Sequence, residues 1–293
     1  MCGIVGLHLR DPSLEPRLGE LLSAMLGQID ARPRPPPPPA ARAAGGGAVY
    51  GDPRLSPPGR AVVSLLGTSK AEVEAALPGV VAFDADATTV VHAGADQLAA
   101  ALPEATVIGS GEGFAVLKGI GNPVELADAF GLAGVSGWQG VGHTRMATES
   151  AVTPEGAHPF SVGPGQCLVH NGSFANHATI RRELRAHGVE FDSENDSEVG
   201  ARFVARQLEQ GADLEKALRL LCERFDGFYT LLVSTGDSFA VVRDAIACKP
   251  ALVAETDAWV AMASEYRALD VLPGIESARI FEPEPEEVYI WRR

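Results

Sequence analysis

Apolar residues recur at helical spacing in several parts of the chain. Between residues 18 and 29, leucine, methionine and isoleucine side chains follow the i, i+3, i+4, i+7 rule, which predicts an amphipathic helix there. The same spacing, or a run rich in alanine, predicts further helices. They are expected over residues 70–77, 95–102, 123–130, 176–187, 198–208 and 214–225. The longer of these helices are expected to cover a sheet.

Short runs rich in β-branched and aromatic residues lie between these helices and after them. They predict strands over residues 80–83, 88–92, 114–117, 228–234, 238–243, 259–263 and 278–281. Turns as short as Thr235-Gly236-Asp237 join the later runs, which indicates an antiparallel sheet. Successive blocks of strands and helices favour a layered α/β sandwich over a parallel, doubly wound fold.

A proline-rich segment interrupts this pattern. Residues 32–44 contain Pro33 and the run Pro35–Pro39, and three glycines follow directly at residues 45–47. Proline lacks the backbone N–H that a helix interior or a paired strand requires, and glycine-rich chain is flexible. We therefore predict an exposed polyproline loop over residues 32–47, without a paired strand. An inserted α+β segment without a chemical motif is expected over residues 48–132.

The composition narrows the classes of partner. The chain of 293 residues has 24 Lys and Arg residues against 38 Asp and Glu residues, a net charge of −14, which disfavours nucleic acid and anionic membranes as partners. The N-terminus has no basic stretch followed by an apolar core, and no apolar run approaches the roughly 18 residues of a membrane span. We therefore expect a cytoplasmic protein. The four cysteines are widely separated, so no metal site or redox motif is expected.

Cys2 directly follows the initiator methionine in the opening sequence MCGIVG. Methionine before a small residue is normally removed, which would leave the thiol on the first residue of the chain. A free α-amino group titrates at about 7.7–8.0 and a thiol at about 8.5, so the amine can take the proton of the thiol near neutral pH. Cys2 is therefore a candidate nucleophile that carries its own base. The alternative interpretation is a small apolar residue that opens a strand.

Three polar motifs provide candidates for binding a substrate. Arg145, in GHTRMAT over residues 142–148, could hold a carboxylate through two parallel hydrogen bonds or form an ordinary salt bridge. In HNGS over residues 170–173, the Asn171 amide and the Gly172 backbone N–H could form an oxyanion hole, or the pair could be only a tight turn. Asp196, in NDSE over residues 195–198, could hold an ammonium group, cap the following helix, or do both.

Together these groups describe a site for an amino acid whose side-chain carbonyl can be attacked, and glutamine fits that description. The chain resembles the class II, or N-terminal nucleophile, glutamine amidotransferases through MCGIVG, GHTRxAT, HNGS and NDSE, in the order of that family. The resemblance implies an α+β fold, a four-layer αββα sandwich of the N-terminal nucleophile hydrolase type. It also implies a single amidotransferase domain over residues 1–293.

The resemblance implies an activity as well. It predicts that glutamine is hydrolysed to glutamate and ammonia through a thioester on Cys2, with Asn171 and Gly172 as the oxyanion hole. Cys2, Asn171 and Gly172 are thus the expected catalytic residues.

The same resemblance implies the substrate contacts. Arg145 is expected to bind the substrate carboxylate and Asp196 its amino group. Two further positions are open to a structural interpretation: Thr148 either helps to seat the substrate or stabilises the fold, and His158 either borders the substrate or orders its own loop.

A finer resemblance concerns the partner. RMATES over residues 145–150, GAHPF over 156–160 and IACKP over 246–250 are similar to the stand-alone glutaminase subunits of glutamate synthase-like enzymes, including the A subunit of N-methylglutamate synthase. This implies that ammonia passes to a synthase subunit on a separate chain. No cofactor is expected on this chain, and flavin and iron–sulfur groups would belong to the partner.

Two alternatives remain open from the sequence. One is an amidotransferase subunit of another biosynthetic complex, such as a purine or asparagine pathway enzyme. The other is a catalytically decayed glutamine-binding or scaffold protein, because the proline run stands where the family usually has an Arg-Gly-x-Asp segment, between residues 29 and 50.

Overall fold

Two antiparallel sheets lie face to face at the centre of the fold in this computed structural model, which describes residues 3–30, 43–146 and 153–293. The strands are β1 (Gly3–Leu9), β2 (Ala43–Tyr50), β3 (Ala61–Leu66), β4 (Ala82–Ala85), β5 (Thr88–Val91), β6 (Thr106–Glu112), β7 (Phe114–Ile120), β8 (Gln139–Met146), β9 (Phe160–Gly163), β10 (Gln166–Phe174), β11 (Gly227–Ser234), β12 (Ser238–Arg243), β13 (Leu252–Glu255), β14 (Trp259–Ala263), β15 (Arg279–Phe281) and β16 (Tyr289–Arg292). The helices are α1 (Leu18–Asp30), α2 (Lys70–Ala76), α3 (Ala95–Ala101), α4 (Pro123–Ala129), α5 (His177–Ala186), α6 (Asp196–Glu209), α7 (Leu214–Arg224) and α8 (Tyr266–Leu269). Short 3₁₀ helices span Pro12–Arg17, Leu132–Gly134 and Ile275–Ser277.

The first sheet contains seven strands in the order β15-β13-β14-β1-β8-β2-β7, and the second contains five in the order β16-β12-β11-β10-β9. Side chains alternate across each strand. On β1, Ile4 points into the core between the sheets, where it joins Val169 and Phe239, whereas Val5 and Leu7 point outward. Full burial of such a side chain contributes roughly 1.5–3 kcal/mol.

Helices cover the outer face of each sheet. Buried residues of α1, α4 and α8 pack on the seven-stranded sheet, and buried residues of α5, α6 and α7 pack on the five-stranded sheet. The apolar face that the sequence predicts on residues 18–29 is the face by which α1 is buried. The predicted α+β fold, a four-layer αββα sandwich, is confirmed.

A third sheet, in the order β4-β5-β3-β6, lies against the edge strand β7. Ser64 Oγ accepts a hydrogen bond of 2.9 Å from the Val116 backbone N–H. Thr88 Oγ1 accepts from the Lys118 N–H at 2.9 Å and donates to the Lys118 carbonyl at 3.1 Å. An uncovered edge strand exposes unpaired backbone groups. These hydroxyls provide hydrogen-bond partners for backbone groups at the β7 edge of the seven-stranded sheet. Helices α2, α3 and α4 confirm the predictions in this region, whereas β3 and β6 were not predicted.

The predicted loop over residues 32–47 is wrong in its last part. Residues 45–47 belong to β2, which pairs with β7 on one side and β8 on the other. Glycine is required there by crowding: a Cβ on Gly46 would lie 2.4 Å from the His158 carbonyl oxygen, and one on Gly47 would lie 2.5 Å from that of Val141. The proline run lies outside the described residues. In the described parts of the chain, no helix has the length and apolar character needed to cross a membrane.

Candidate active site

The beginning of β1 is held by two hydroxyl groups. The Gly3 N–H donates to Thr144 Oγ1 at 3.1 Å, and the Ile4 N–H donates to Ser264 Oγ at 2.9 Å. The Ser264 N–H donates in turn to the Ile4 carbonyl at 3.0 Å. Neither hydroxyl was predicted to have a role, although Thr144 lies in the GHTRMAT motif. Both fix the backbone of the residues that follow Cys2.

The start of β1 is also held by its packing against α1. A Cβ on Gly3 would lie 2.5 Å from Ile29 Cγ2 and 3.1 Å from Thr144 Oγ1. Ile29 is completely buried on α1 and cannot move into solvent. The glycine after Cys2 is therefore needed for the close approach of β1 to α1.

Asn171 and Gly172 lie within β10. They therefore do not form the tight turn that was the alternative interpretation of this pair. Asn171 is buried and pairs with Thr230 of β11. Strand alternation puts it on the same face as Val169, which packs in the core between the sheets together with Ile4 of β1. β1 and β10 contact each other across this core. Asn171 thus belongs to the face that is turned towards β1.

Gly172 has a backbone conformation that favours glycine. Its φ is +141°, and a Cβ would lie 2.0 Å from the Phe228 carbonyl oxygen of the neighbouring strand. Gly172 is exposed although Asn171 before it is buried. The two residues therefore lie where β10 passes from the core to the surface, and a backbone group at Gly172 can be approached by a ligand.

Asp196 is the first residue of α6, and it is half-buried. The cap of this helix is Asn195, whose side chain accepts a hydrogen bond of 2.9 Å from the Ser197 N–H. Of the roles that the sequence left open for Asp196, capping of this helix is therefore not the one that the structure shows. Asp196 Oδ2 instead accepts a hydrogen bond of 2.9 Å from the Phe174 N–H at the end of β10. This contact joins the strand of Asn171 to the helix of Asp196.

Three buried histidines, His143, His158 and His170, lie close to one another, and His170 belongs to β10 itself. The ring of His158 is 4.1 Å from that of His143 and 6.3 Å from that of His170, measured between centroids. His158 also meets the edge of Phe160 at 5.2 Å. His158 is only 5% exposed and packs among these rings.

His170 has a defined partner on α6. Its Nδ1 lies 2.7 Å from Ser197 Oγ, and its ring stacks on Phe174 at 4.3 Å. Burial lowers the pKa of His170 to about 4, the nearby Asp196 opposes this, and Lys249 adds to it. His170 is consequently a neutral imidazole at neutral pH.

The structure brings Asn171, Gly172 and Asp196 together around the end of β10. Cys2, Thr148 and the side chain of Arg145 lie outside the part of the molecule that the structure describes. The backbone of Arg145 continues β8 and pairs with Ala44 of β2. Within the described residues, no group of three or more His, Cys, Asp or Glu side chains is arranged to hold a metal ion.

Comparison with solved structures defines the class of fold. Glutamine phosphoribosylpyrophosphate amidotransferase from B. subtilis, complexed with ADP and GMP, superimposes with a TM-score of 0.61 at 20% sequence identity, covering 99% of this chain and 47% of that chain. The chain therefore shares the fold of this amidotransferase.

Comparison with curated sequences defines the family. The glutamine amidotransferase-like protein GlxB of Rhizobium meliloti (strain 1021) is 45% identical over 307 residues, covering 99% of this chain and 98% of GlxB. A putative glutamine amidotransferase of Methanothermobacter thermautotrophicus is 31% identical over 192 residues, covering 65% of this chain and 62% of that protein. Residues 143–271 match the profile of a glutamine amidotransferase domain. The chain belongs to the glutamine amidotransferase family.

Proposed function

We propose that this protein is the glutaminase subunit of an amidotransferase and hydrolyses L-glutamine to glutamate and ammonia. Two observations carry the proposal: Asn171 lies on the face of β10 that is turned towards β1, the strand that follows Cys2, and Asp196 is hydrogen-bonded to the end of β10. Membership of the glutamine amidotransferase family supports it. This arrangement supports an oxyanion hole at Asn171 and Gly172 and an ammonium site at Asp196, next to the strand that follows the proposed nucleophile.

In the proposed reaction the Cys2 thiol, after removal of Met1, loses its proton to the Cys2 amine. The thiolate attacks the side-chain amide carbon of glutamine, and the oxygen takes the electron pair of the carbonyl bond. The Asn171 amide and the Gly172 N–H donate to this oxyanion, which is the stage at which such donors contribute most. The carbon–nitrogen bond then breaks, and the amine returns its proton to the departing ammonia.

A thioester remains on Cys2 after ammonia has left. Water attacks its carbon, the carbon–sulfur bond breaks, and glutamate leaves with a carboxylate in place of the amide. The Cys2 amine serves again as the base for the attacking water and as the source of the proton for the sulfur. The cycle consumes one glutamine and one water.

Opposite charges would select the backbone end of glutamine. The Arg145 guanidinium would bind the α-carboxylate through two parallel hydrogen bonds, and the Asp196 carboxylate would bind the α-ammonium group. Asp196 Oδ2 already accepts from the Phe174 N–H, so the carboxylate is oriented before substrate arrives. Thr148 would help to seat the substrate, and His158 would support the site from its buried position.

The ammonia would be used on a separate polypeptide. The motifs RMATES, GAHPF and IACKP favour a synthase of the glutamate synthase-like kind, such as N-methylglutamate synthase, as the acceptor. Flavin and iron–sulfur groups for a reductive amination would then reside on that partner and not on this chain.

The test is release of glutamate and ammonia from glutamine by the purified protein. We expect equal amounts of both products, and we expect the Cys2→Ala variant to release neither while it keeps the thermal stability of the parent. Cys248→Ala is the matched control, because Cys248 is exposed and follows β12 on a surface segment. Hydrolysis that survives in Cys2→Ala would overturn the mechanism, and a parent protein that binds glutamine without hydrolysing it would favour the decayed scaffold.

A further inference from the structure

A chain of polar contacts leads from His170 through Ser197 to Asp196. His170 Nδ1 and Ser197 Oγ are 2.7 Å apart, and the Ser197 hydroxyl reaches Asp196 Oδ1 at 3.5 Å. His170 and Ser197 are 4% and 1% exposed. The other carboxylate oxygen, Oδ2, is held by the Phe174 N–H at 2.9 Å. Both oxygens of Asp196 are thus contacted by groups of the protein.

The position of the imidazole proton sets the direction of these hydrogen bonds. His170 Nε2 is buried and has no hydrogen-bond partner among the residues that the structure describes. A buried N–H without a partner is rarer in proteins than a buried acceptor without one, so the proton is best placed on Nδ1. Nδ1–H then donates to Ser197 Oγ. The serine hydroxyl is left to donate to Asp196 Oδ1.

We propose that His170 and Ser197 are positioning residues that set the selectivity of the site for the α-amino group of its substrate. This inference rests on the proposed function, in which Asp196 binds that ammonium group. His170 fixes the hydroxyl rotor of Ser197, and Ser197 fixes the carboxylate of Asp196.

The two residues also join the two halves of the site. His170 is the residue before Asn171 on β10, and Ser197 is the residue after Asp196 on α6. Their contact therefore sets the spacing between the proposed oxyanion donor and the proposed ammonium acceptor. A carboxylate that is free to rotate would hold an ammonium group less well, because it must lose that freedom when the substrate binds.

The experiment compares two substrates on each enzyme sample: glutamine, and the analogue 5-amino-5-oxopentanoate, which lacks the α-amino group. The measured quantity is the ratio of kcat/KM for glutamine to kcat/KM for the analogue. This ratio does not change with the fraction of folded protein, because both substrates meet the same active molecules. A residue that only supports the fold would leave the ratio unchanged.

We expect Ser197→Ala to lower this ratio about tenfold, near the lower end for a hydrogen bond to a charged group, mainly through KM for glutamine. Ser197→Thr, which keeps a hydroxyl, should restore most of the ratio. Ser56→Ala is the matched control, because Ser56 is also fully buried and its Oγ accepts a hydrogen bond of 2.9 Å from the Asp52 N–H. Asp52 follows the end of β2, at the end of the seven-stranded sheet that is opposite to the start of β1.

An unchanged ratio in Ser197→Ala would overturn the inference while glutamine hydrolysis itself stands. An equal fall in Ser56→Ala would overturn it as well, because the effect would then be general. A parent protein that hydrolyses neither substrate would overturn the proposed function, and the inference would fall with it.

Discussion

Replacing Gly3 with alanine tests whether the close packing at the start of β1 positions the proposed nucleophile, Cys2. The added Cβ would lie 2.5 Å from Ile29 Cγ2, whereas carbon atoms in contact are separated by about 3.5 Å. About 1 Å of movement is therefore needed to relieve the overlap. Ile29 is fully buried, so the strand must take up much of this movement.

The size of the effect follows from that movement. Overpacking of this kind costs about 1–3 kcal/mol in the free energy of unfolding. A displacement of about 1 Å at a reacting group can lower the rate about 100-fold. We expect the loss mainly in kcat, with a smaller change in KM, because the proposed ammonium contact Asp196 lies on α6 rather than on β1.

The assay is steady-state glutamine hydrolysis together with urea unfolding of the same preparations. Gly27→Ala is the matched control on α1: a Cβ there meets nothing within 4 Å, so this variant should keep its activity and gain about 0.5–1 kcal/mol. Full stability and full kcat in Gly3→Ala would refute the packing argument. A similar loss of kcat in Gly27→Ala would refute the assignment of the effect to β1.

Three further predictions concern single groups. Ser264→Ala removes the acceptor of the Ile4 N–H and should cost about 1 kcal/mol in stability and lower kcat more than it raises KM, as measured by urea unfolding and steady-state kinetics. Burial lowers the pKa of His170 from 6.5 to about 4, so the folded state takes up this proton less readily than the unfolded chain. The free energy of unfolding should therefore fall by about 3 kcal/mol as the pH is lowered from 6.5 to 4. Unfolding of His170→Phe over that pH range should lack this loss, and an identical acid profile in both proteins would contradict the burial argument. Lys118 is 3% exposed, and its Nζ makes a hydrogen bond of 3.4 Å to the Glu155 carbonyl. Since burial lowers the pKa of Lys118 to about 8, the unfolding free energy of the parent should rise with pH between 8 and 10.5 relative to Lys118→Met, and parallel curves would show that the ammonium is not destabilised by burial.

Periodicity predicted the layers of the fold because the longer helices that cover the two sheets each have one apolar face. The 18–29 stretch and the three helices over residues 176–225 are found where their spacing places them. β2 was missed for a physical reason: its glycines carry no side chain from which a pattern could be recognised, and their purpose, close approach to the His158 and Val141 carbonyls, depends on residues distant in sequence. β3 and β6 were missed although their residues are suited to strands.

The candidate site was predictable where a residue type reveals its chemistry. The motif order singled out Asn171, Gly172 and Asp196, and the structure places them around the end of one strand. The NDSE motif could not reveal that Asn195 caps α6, because Asn195 and Asp196 are both good capping residues. Nor could the motif order reveal the contacts of Ser264, which lies 260 positions from its partner Ile4.

The proposed role of Cys2 as a nucleophile at a formed glutamine site can be examined by mass spectrometry after treatment with a diazoketone analogue of glutamine. We expect a single adduct on an N-terminal Cys2 with Met1 removed, and protection by excess glutamine. The other three cysteines, Cys167, Cys222 and Cys248, serve as internal controls and should stay unmodified. No adduct on Cys2 after Met1 removal, or equal labelling of Cys2 and Cys248, would show that Cys2 is not the nucleophile of a formed glutamine site.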